Sequence, residues 1–153
     1  MLMNSIEFVL MNNPVRRFIQ KHIEVKRMRK LSELFPEASL VLEIGCGSGY
    51  GTKLIKKYFK PQKIEAIDLD EKMIKLAHQK NNDPAASFHV GDAAALKYKD
   101  SMFDAIFDFG IIHHIPNWKD CLVELRRVLK SGGRIDCGRS LHRDIQNTIW
   151  EVS

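Results

Sequence analysis

The chain is short of the features that mark exported, membrane-spanning or metal-held proteins. Cysteine occurs three times, at Cys46, Cys121 and Cys137, an odd number without any C-x-x-C pair, so neither a disulfide framework nor a zinc site is indicated. A reducing cytoplasm is therefore the expected compartment. No apolar run approaches the roughly 20 residues that cross a bilayer. The N-terminus also lacks the compact hydrophobic stretch and small-residue cleavage site of an export signal. No internal repeat and no low-complexity tract is present. Charge of one sign is scarcely in excess: a net charge of +5 is too mild to choose between nucleic acid, an anionic membrane surface and an acidic substrate.

What is present suits one α/β domain with a single core, since 153 residues at 44% hydrophobic are too few for two. The positive charge is unevenly placed. Arg16, Arg17, Lys21, Lys26, Arg27, Arg29 and Lys30 face one acid, Glu24, while Val15, Phe18, Ile19, Ile23, Met28, Leu31 and Leu34 recur at helical spacing. One or two amphipathic helices are expected between Pro14 and Phe35. Residues 1–36 thus read as a basic helical extension and 37–153 as the domain proper. The basic face could be solvated, close over a substrate, or meet an anionic surface. Phe18 is the one aromatic platform among its arginines and lysines, so a membrane surface suits it better than nucleic acid.

Beyond Pro36 the pattern alternates. Leu40 to Ile44 is a short apolar run, a buried strand, and Thr52 to Phe59 reads as the helix after it. Strands follow at Lys63 to Ile67, Ser87 to Val90, Ala105 to Phe109 and Arg134 to Cys137, with helices at Glu71 to Lys80 and Trp118 to Leu129. Lys130-Ser131-Gly132-Gly133 reads as the stop of the last helix. Alternation of this kind implies a mostly parallel, Rossmann-like sheet with right-handed crossovers and helices on both faces.

Between the first strand and its helix lies Gly45-Cys46-Gly47-Ser48-Gly49. In parallel sheets ligands bind beyond the carboxyl ends of the strands, and glycines there leave the backbone open to a polar ligand group. A dinucleotide fingerprint requires G-x-G-x-x-G, but the sixth position counted from Gly45 is Tyr50. That argues against a nicotinamide-dependent dehydrogenase.

The string VLEIGCGSGYGT, Val41 to Thr52, resembles the first motif of class I S-adenosylmethionine-dependent methyltransferases, of the small-molecule, ubiquinone/menaquinone-biosynthesis-like kind. Further motifs follow in the family's order: AIDLDEKMIKLA (Ala66 to Ala77), HVGDAAAL (His89 to Leu96), FDAIFDFGIIHHIPNW (Phe103 to Trp118) and LRRVLKSGGRI (Leu125 to Ile135). The resemblance implies that S-adenosylmethionine is the cofactor. It implies Asp68 on the ribose hydroxyls, Leu69 against the adenine face, and Asp92, between Gly91 and Ala93, on the adenine amino group. Glu43 and the turn residues Gly45, Cys46, Gly47 and Gly49 would lie against the donor, and Asp108 and Phe109 near its methionine end.

Competing roles exist for several of these residues. Asp70, immediately before the helical pattern, suits the N-cap better than Asp68 does. Asp92 could merely make a turn, and Glu43 would be a costly buried carboxylate without donors. His113 and His114 tempt as bases, although packing of their loop accounts for at least one ring. Methyl transfer from a sulfonium is an in-line displacement with an activated leaving group, so holding and aligning the reactants suffices. The expected activity is methylation of a small-molecule acceptor.

The alternative is a cofactor-binding but non-catalytic or truncated domain, because the chain ends before the last two strands of the full fold. Asp136, in a strand expected to be buried, is off-pattern. After Cys137 only a terminal helix (Leu141, Ile145, Ile149, Trp150) is expected, and a second copy of the chain is one way to cover the open sheet edge.

Overall fold

A computed structural model describes residues 39–137; the basic extension and the expected terminal helix lie outside the described residues. Strands β1 (Leu40–Ile44), β2 (Lys63–Asp68), β3 (Ala86–Val90), β4 (Phe103–Asp108) and β5 (Leu129–Cys137) form one sheet in the order β3-β2-β1-β4-β5. Every pairing is parallel. Helices α1 (Tyr50–Phe59), α2 (Glu71–Lys80) and α3 (Trp118–Val128) connect them, with a short 3₁₀ turn at Ile112–His114. The chain leaves β1 toward β2 and β3, then crosses back to β4, so strand order reverses between β1 and β4.

Strand alternation sorts the core onto two faces. Leu42, Ile44, Ile67 and Ile106 pack with Cys121, Leu122, Leu125 and Val128 of α3. Val41, Ile64, Ala105 and Phe107 pack with Leu54 and Ile55 of α1, while Ala66 and Phe88 meet Ile74 and Ala77 of α2. Helices therefore cover both faces, as the alternating pattern implies. β1 is buried from Val41 to Ile44 because it has a strand on either side and a helix layer on each face.

The last turn departs from its sequence reading. α3 ends at Val128, and Leu129 is already extended, its N–H donating to the Leu125 carbonyl. Phe103 pairs with Leu129 but Ala105 pairs with Arg134, so Lys130 to Gly133 bulge out of β5 with Gly132 at φ 76°. These glycines shape a strand irregularity rather than stop a helix, because pairing with β4 captures the chain first. Asp136 sits opposite Phe107, 6% exposed, and its Oδ2 meets no donor among the described residues. Burial pushes its carboxyl up to about 6, opposed by Arg134.

Candidate functional site

The turn after β1 uses its glycines in two ways. Gly45, Gly47 and Gly49 adopt φ of 63°, 53° and 79°, a region other residues avoid. A Cβ on Gly45 would lie 2.7 Å from the Ile111 side chain, and one on Gly49 would lie 2.3 Å from Asn81 Nδ2. On Gly47 it would meet nothing within 4 Å among the described residues. The outer two glycines thus permit packing, and the middle one presents bare backbone to open space. The Cys46 N–H bonds the Ile67 carbonyl at 2.9 Å, fixing the turn against β2.

Asp68, at the end of β2, is bound to that turn directly. Its Oδ2 accepts from the Gly47 N–H at 2.8 Å and its Oδ1 from the Asp70 N–H at 2.9 Å. Each oxygen keeps a further acceptor position, the arrangement that two vicinal hydroxyls require. Burial raises the Asp68 carboxyl, and the two backbone donors oppose the rise. Asp70 instead caps α2, accepting from the Lys72 N–H at 2.8 Å. Asp70 rather than Asp68 is therefore the N-cap, as its place immediately before the helix implies.

β3 brings the next segment alongside. Val90 is in register with Asp68, and the Gly91 N–H donates to the Asp68 carbonyl at 3.0 Å. Asp92 follows, exposed, with Oδ1 accepting from the Ala94 N–H at 2.9 Å. It makes the turn, and its second oxygen accepts nothing among the described residues. Leu69 and Val90 are large apolar side chains left 46% and 55% exposed at neighbouring strand ends. Leu69 was expected here; Val90 was not, because only strand register sets it beside Asp68.

Residues 42–137 match the model of a family described as a methyltransferase domain, more than half the chain. The chain belongs to the methyltransferase domain family. It is 34% identical over 97 residues to a fatty-acid O-methyltransferase of Mycolicibacterium smegmatis, covering 63% of this chain and 35% of that one. It is 33% identical over 93 residues to a phthiotriol/phenolphthiotriol dimycocerosates methyltransferase of Mycobacterium tuberculosis, covering 61% and 34%. The chain spans about a third of the length of these curated relatives. Among solved structures, the YcgJ protein of Bacillus subtilis superposes with a TM-score of 0.68 at 28% identity, over 74% of this chain and 49% of that one. A SAM-dependent methyltransferase of Aquifex aeolicus shares the fold, with a TM-score of 0.68 at 23% identity over 84% and 69%. Membership implies S-adenosylmethionine as the cofactor of this methyltransferase domain.

The acid of its first motif, Glu43, is 1% exposed beneath the start of α1. The Thr52 hydroxyl donates to Glu43 Oε2. Burial pushes the Glu43 carboxyl up to about 8, with the Thr52 bond opposing and Asp68 adding to the rise. A Cβ on Gly51 would fall 2.2 Å from Glu43 Oε1 and 2.7 Å from the Phe109 ring. Gly51 therefore supplies the close helix-to-strand approach that the absent sixth-position glycine gives a dinucleotide fold. Gly51 and Thr52 were quoted in the motif but given no role; the glycine alternation continuing through Gly51 was the available signal.

Other expected residues are structural in their side chains. Asp108 is fully buried, and its Oδ1 accepts from the Gly110 and Ile111 N–H groups at 2.8 and 2.6 Å, shaping the loop after β4. Phe109, 4% exposed, wedges against α1 in the core. Cys46 packs with Ala66, Ile74 and Phe88, and burial raises its thiol well above the ordinary range, so no reactive thiolate exists there. Ala93 likewise points its methyl into the core. His113 and His114 are both exposed, ring centroids 4.0 Å apart, whereas Ile112 between them and β4 does the packing.

Proposed function

We propose that this domain transfers the methyl group of S-adenosylmethionine, in line, to a small-molecule acceptor carrying a lipid chain. The observation that carries the donor site is the Asp68 carboxylate, bonded to the Gly47 N–H of the glycine turn with an acceptor position left on each oxygen. The residues fit the donor: bare backbone at Gly47, hydroxyl acceptors on Asp68, and apolar sides from Leu69 and Val90. When bound, the donor supplies an activated methyl group on a sulfonium.

Asp68 would take the ribose hydroxyls, Asp92 the adenine amino group, and Leu69 and Val90 the faces of the base. Gly45, Cys46 and Gly47 would offer backbone groups, with Gly91 and Ala93 doing the same from the β3 side. Glu43, its carboxyl kept protonated by burial near neutral pH, would line the site near the positively charged end of the donor, and Asp108 and Phe109 would hold the floor beside it. With the leaving group already activated, these residues act by holding and aligning the reactants. The lipid class of acceptor rests on the names of the relatives, one acting on fatty acids and another on phthiotriol dimycocerosates. Those names do not favour a non-catalytic binding domain.

In the same reading the basic extension of residues 1–36 meets an anionic membrane surface, a second copy covers the open sheet edge, and the protein works in the cytoplasm. No helix among the described residues is long and apolar enough to cross a membrane. The test has two steps. Isothermal titration with S-adenosylmethionine and S-adenosylhomocysteine is expected to show one site, and no heat from a folded sample would end the proposal. Radiolabelled methyl transfer to a panel of fatty acids and long-chain alcohols then tests the acceptor class, and binding without transfer would leave only the donor half standing.

A further inference from the structure

The outer face of α1 carries a charge arrangement unlike that of the other helices. From Ile44 to Ile64 the sequence contains Lys53, Lys56, Lys57, Lys60 and Lys63 and no acid. Leu54 and Ile55 are buried against the sheet, and the lysines take the opposite side of the helix; Lys53, Lys57, Lys60 and Lys63 are exposed. α2 offsets its cations with an ion pair between Glu71 and Lys75 at 2.8 Å, and α3 does so with Glu124 and Arg127 at 2.8 Å. α1 has no acid of its own, and the nearest offset is Asp83, 4.0 Å from Lys56. Like charges three and four residues apart destabilise a helix. Lys53 also stands near the positive end of the helix dipole. Asp83, the Tyr58 ring 5.3 Å from Lys57 Nζ, and the negative end of the helix dipole near Lys56 and Lys57 offset part of this charge within the fold, but not that of Lys53 in the first turn.

A facing anionic surface would offset the rest. Lys53 to Lys60 span roughly 10 Å of helix axis, close to one Debye length at physiological salt, so the cations act together on a facing charged surface. Beside them an open cleft of about 210 Å³ lies between Lys53, Lys56 and Lys57 on one side and Asn81 and Asp83 on the other. α1 presents no exposed aromatic, since Tyr50, Tyr58 and Phe59 are all partly buried, so bases would find no stacking platform. A bilayer needs none.

We infer that the lysine face of α1 is a docking surface for an anionic lipid bilayer, with the cleft beside it receiving a headgroup phosphate. This goes beyond the methyl-transfer reading and does not depend on it. The full chain would be sedimented with vesicles of phosphatidylcholine alone and of phosphatidylcholine and phosphatidylglycerol in equal parts. Binding is expected only to the second, and to weaken in high salt. Substituting Lys53→Ala, Lys56→Ala and Lys57→Ala together should weaken it about a hundredfold, at about fivefold for each lysine near the surface. A control set, Lys72→Ala, Lys97→Ala and Lys99→Ala, removes equal charge elsewhere and should change binding severalfold at most. Circular dichroism would verify that both sets fold. Undiminished binding by the α1 set, equal losses in the two sets, or wild-type binding to a short RNA but not to the anionic vesicles would each overturn the assignment.

Discussion

Replacing Glu43 by Gln tests the physics at the centre of the site. The glutamine has the same shape and can still accept from the Thr52 hydroxyl, but it never ionises. Burial holds the Glu43 carboxyl up to about 8, against 4.5 for the free side chain. Between those values the unfolded chain has released a proton that the folded chain retains, so the wild type loses stability as pH rises. The group's contribution is complete below about pH 4.5, falls by about 1.4 kcal/mol per pH unit, and levels off above about pH 8. At pH 7 the loss amounts to about 3 kcal/mol, and Glu43→Gln does not suffer it. The assay is urea unfolding of both proteins by far-ultraviolet circular dichroism, from about pH 5 to about pH 8. The variant should gain on the wild type steadily across that range. A stability difference that stays constant with pH would refute the argument.

Other outcomes follow from single contacts. Asp68→Asn should weaken S-adenosylmethionine binding about 10- to 100-fold in calorimetry, since it removes charge from two hydroxyl acceptors worth roughly 1.5–3 kcal/mol in all. Gly51→Ala places a methyl group 2.2 Å from Glu43 Oε1 and should lower stability by about 1–3 kcal/mol in a thermal melt; an unchanged melt would show that α1 does not pack as described. Asp136→Asn should raise stability more at pH 8 than at pH 5, because the acid's raised carboxyl loses stability as pH climbs from about 3.8 through about 6. Arg127 holds the Leu96 and Tyr98 carbonyls at 2.9 and 2.8 Å. Arg127→Met should therefore cost roughly 2 kcal/mol and speed amide exchange in residues 92–102, while leaving β1 protected.

Sheet, helix order and the glycine turn were readable because each follows from local pattern: apolar runs bounded by glycine, helical spacing between them, and motif order. That Asp70 and not Asp68 caps α2 was readable for the same reason, since a cap must immediately precede its helix. What escaped depends on contacts distant in sequence. Val90 gains its place only through its register with Asp68, while Asp108 is a local exception, a loop-holder for Gly110 and Ile111 two and three residues on. Lys130 to Gly133 have the composition of a helix stop, yet tertiary pairing of Leu129 with Phe103 ends α3 first. His113 and His114 stand exposed in a loop whose Ile111, Ile112 and Ile115 meet the core. Asp136 is off-pattern in sequence, and in the fold its buried Oδ2 meets no donor among the described residues.

The most direct test is a titration of the isotopically labelled protein with S-adenosylhomocysteine, followed through its assigned backbone amides. The amides of Gly47, Asp68, Leu69, Gly91 and Asp92 should shift together and saturate at one concentration. Shifts that gather away from the ends of β1, β2 and β3, or that separate the glycine turn from the two aspartates, would contradict a single adenosine site.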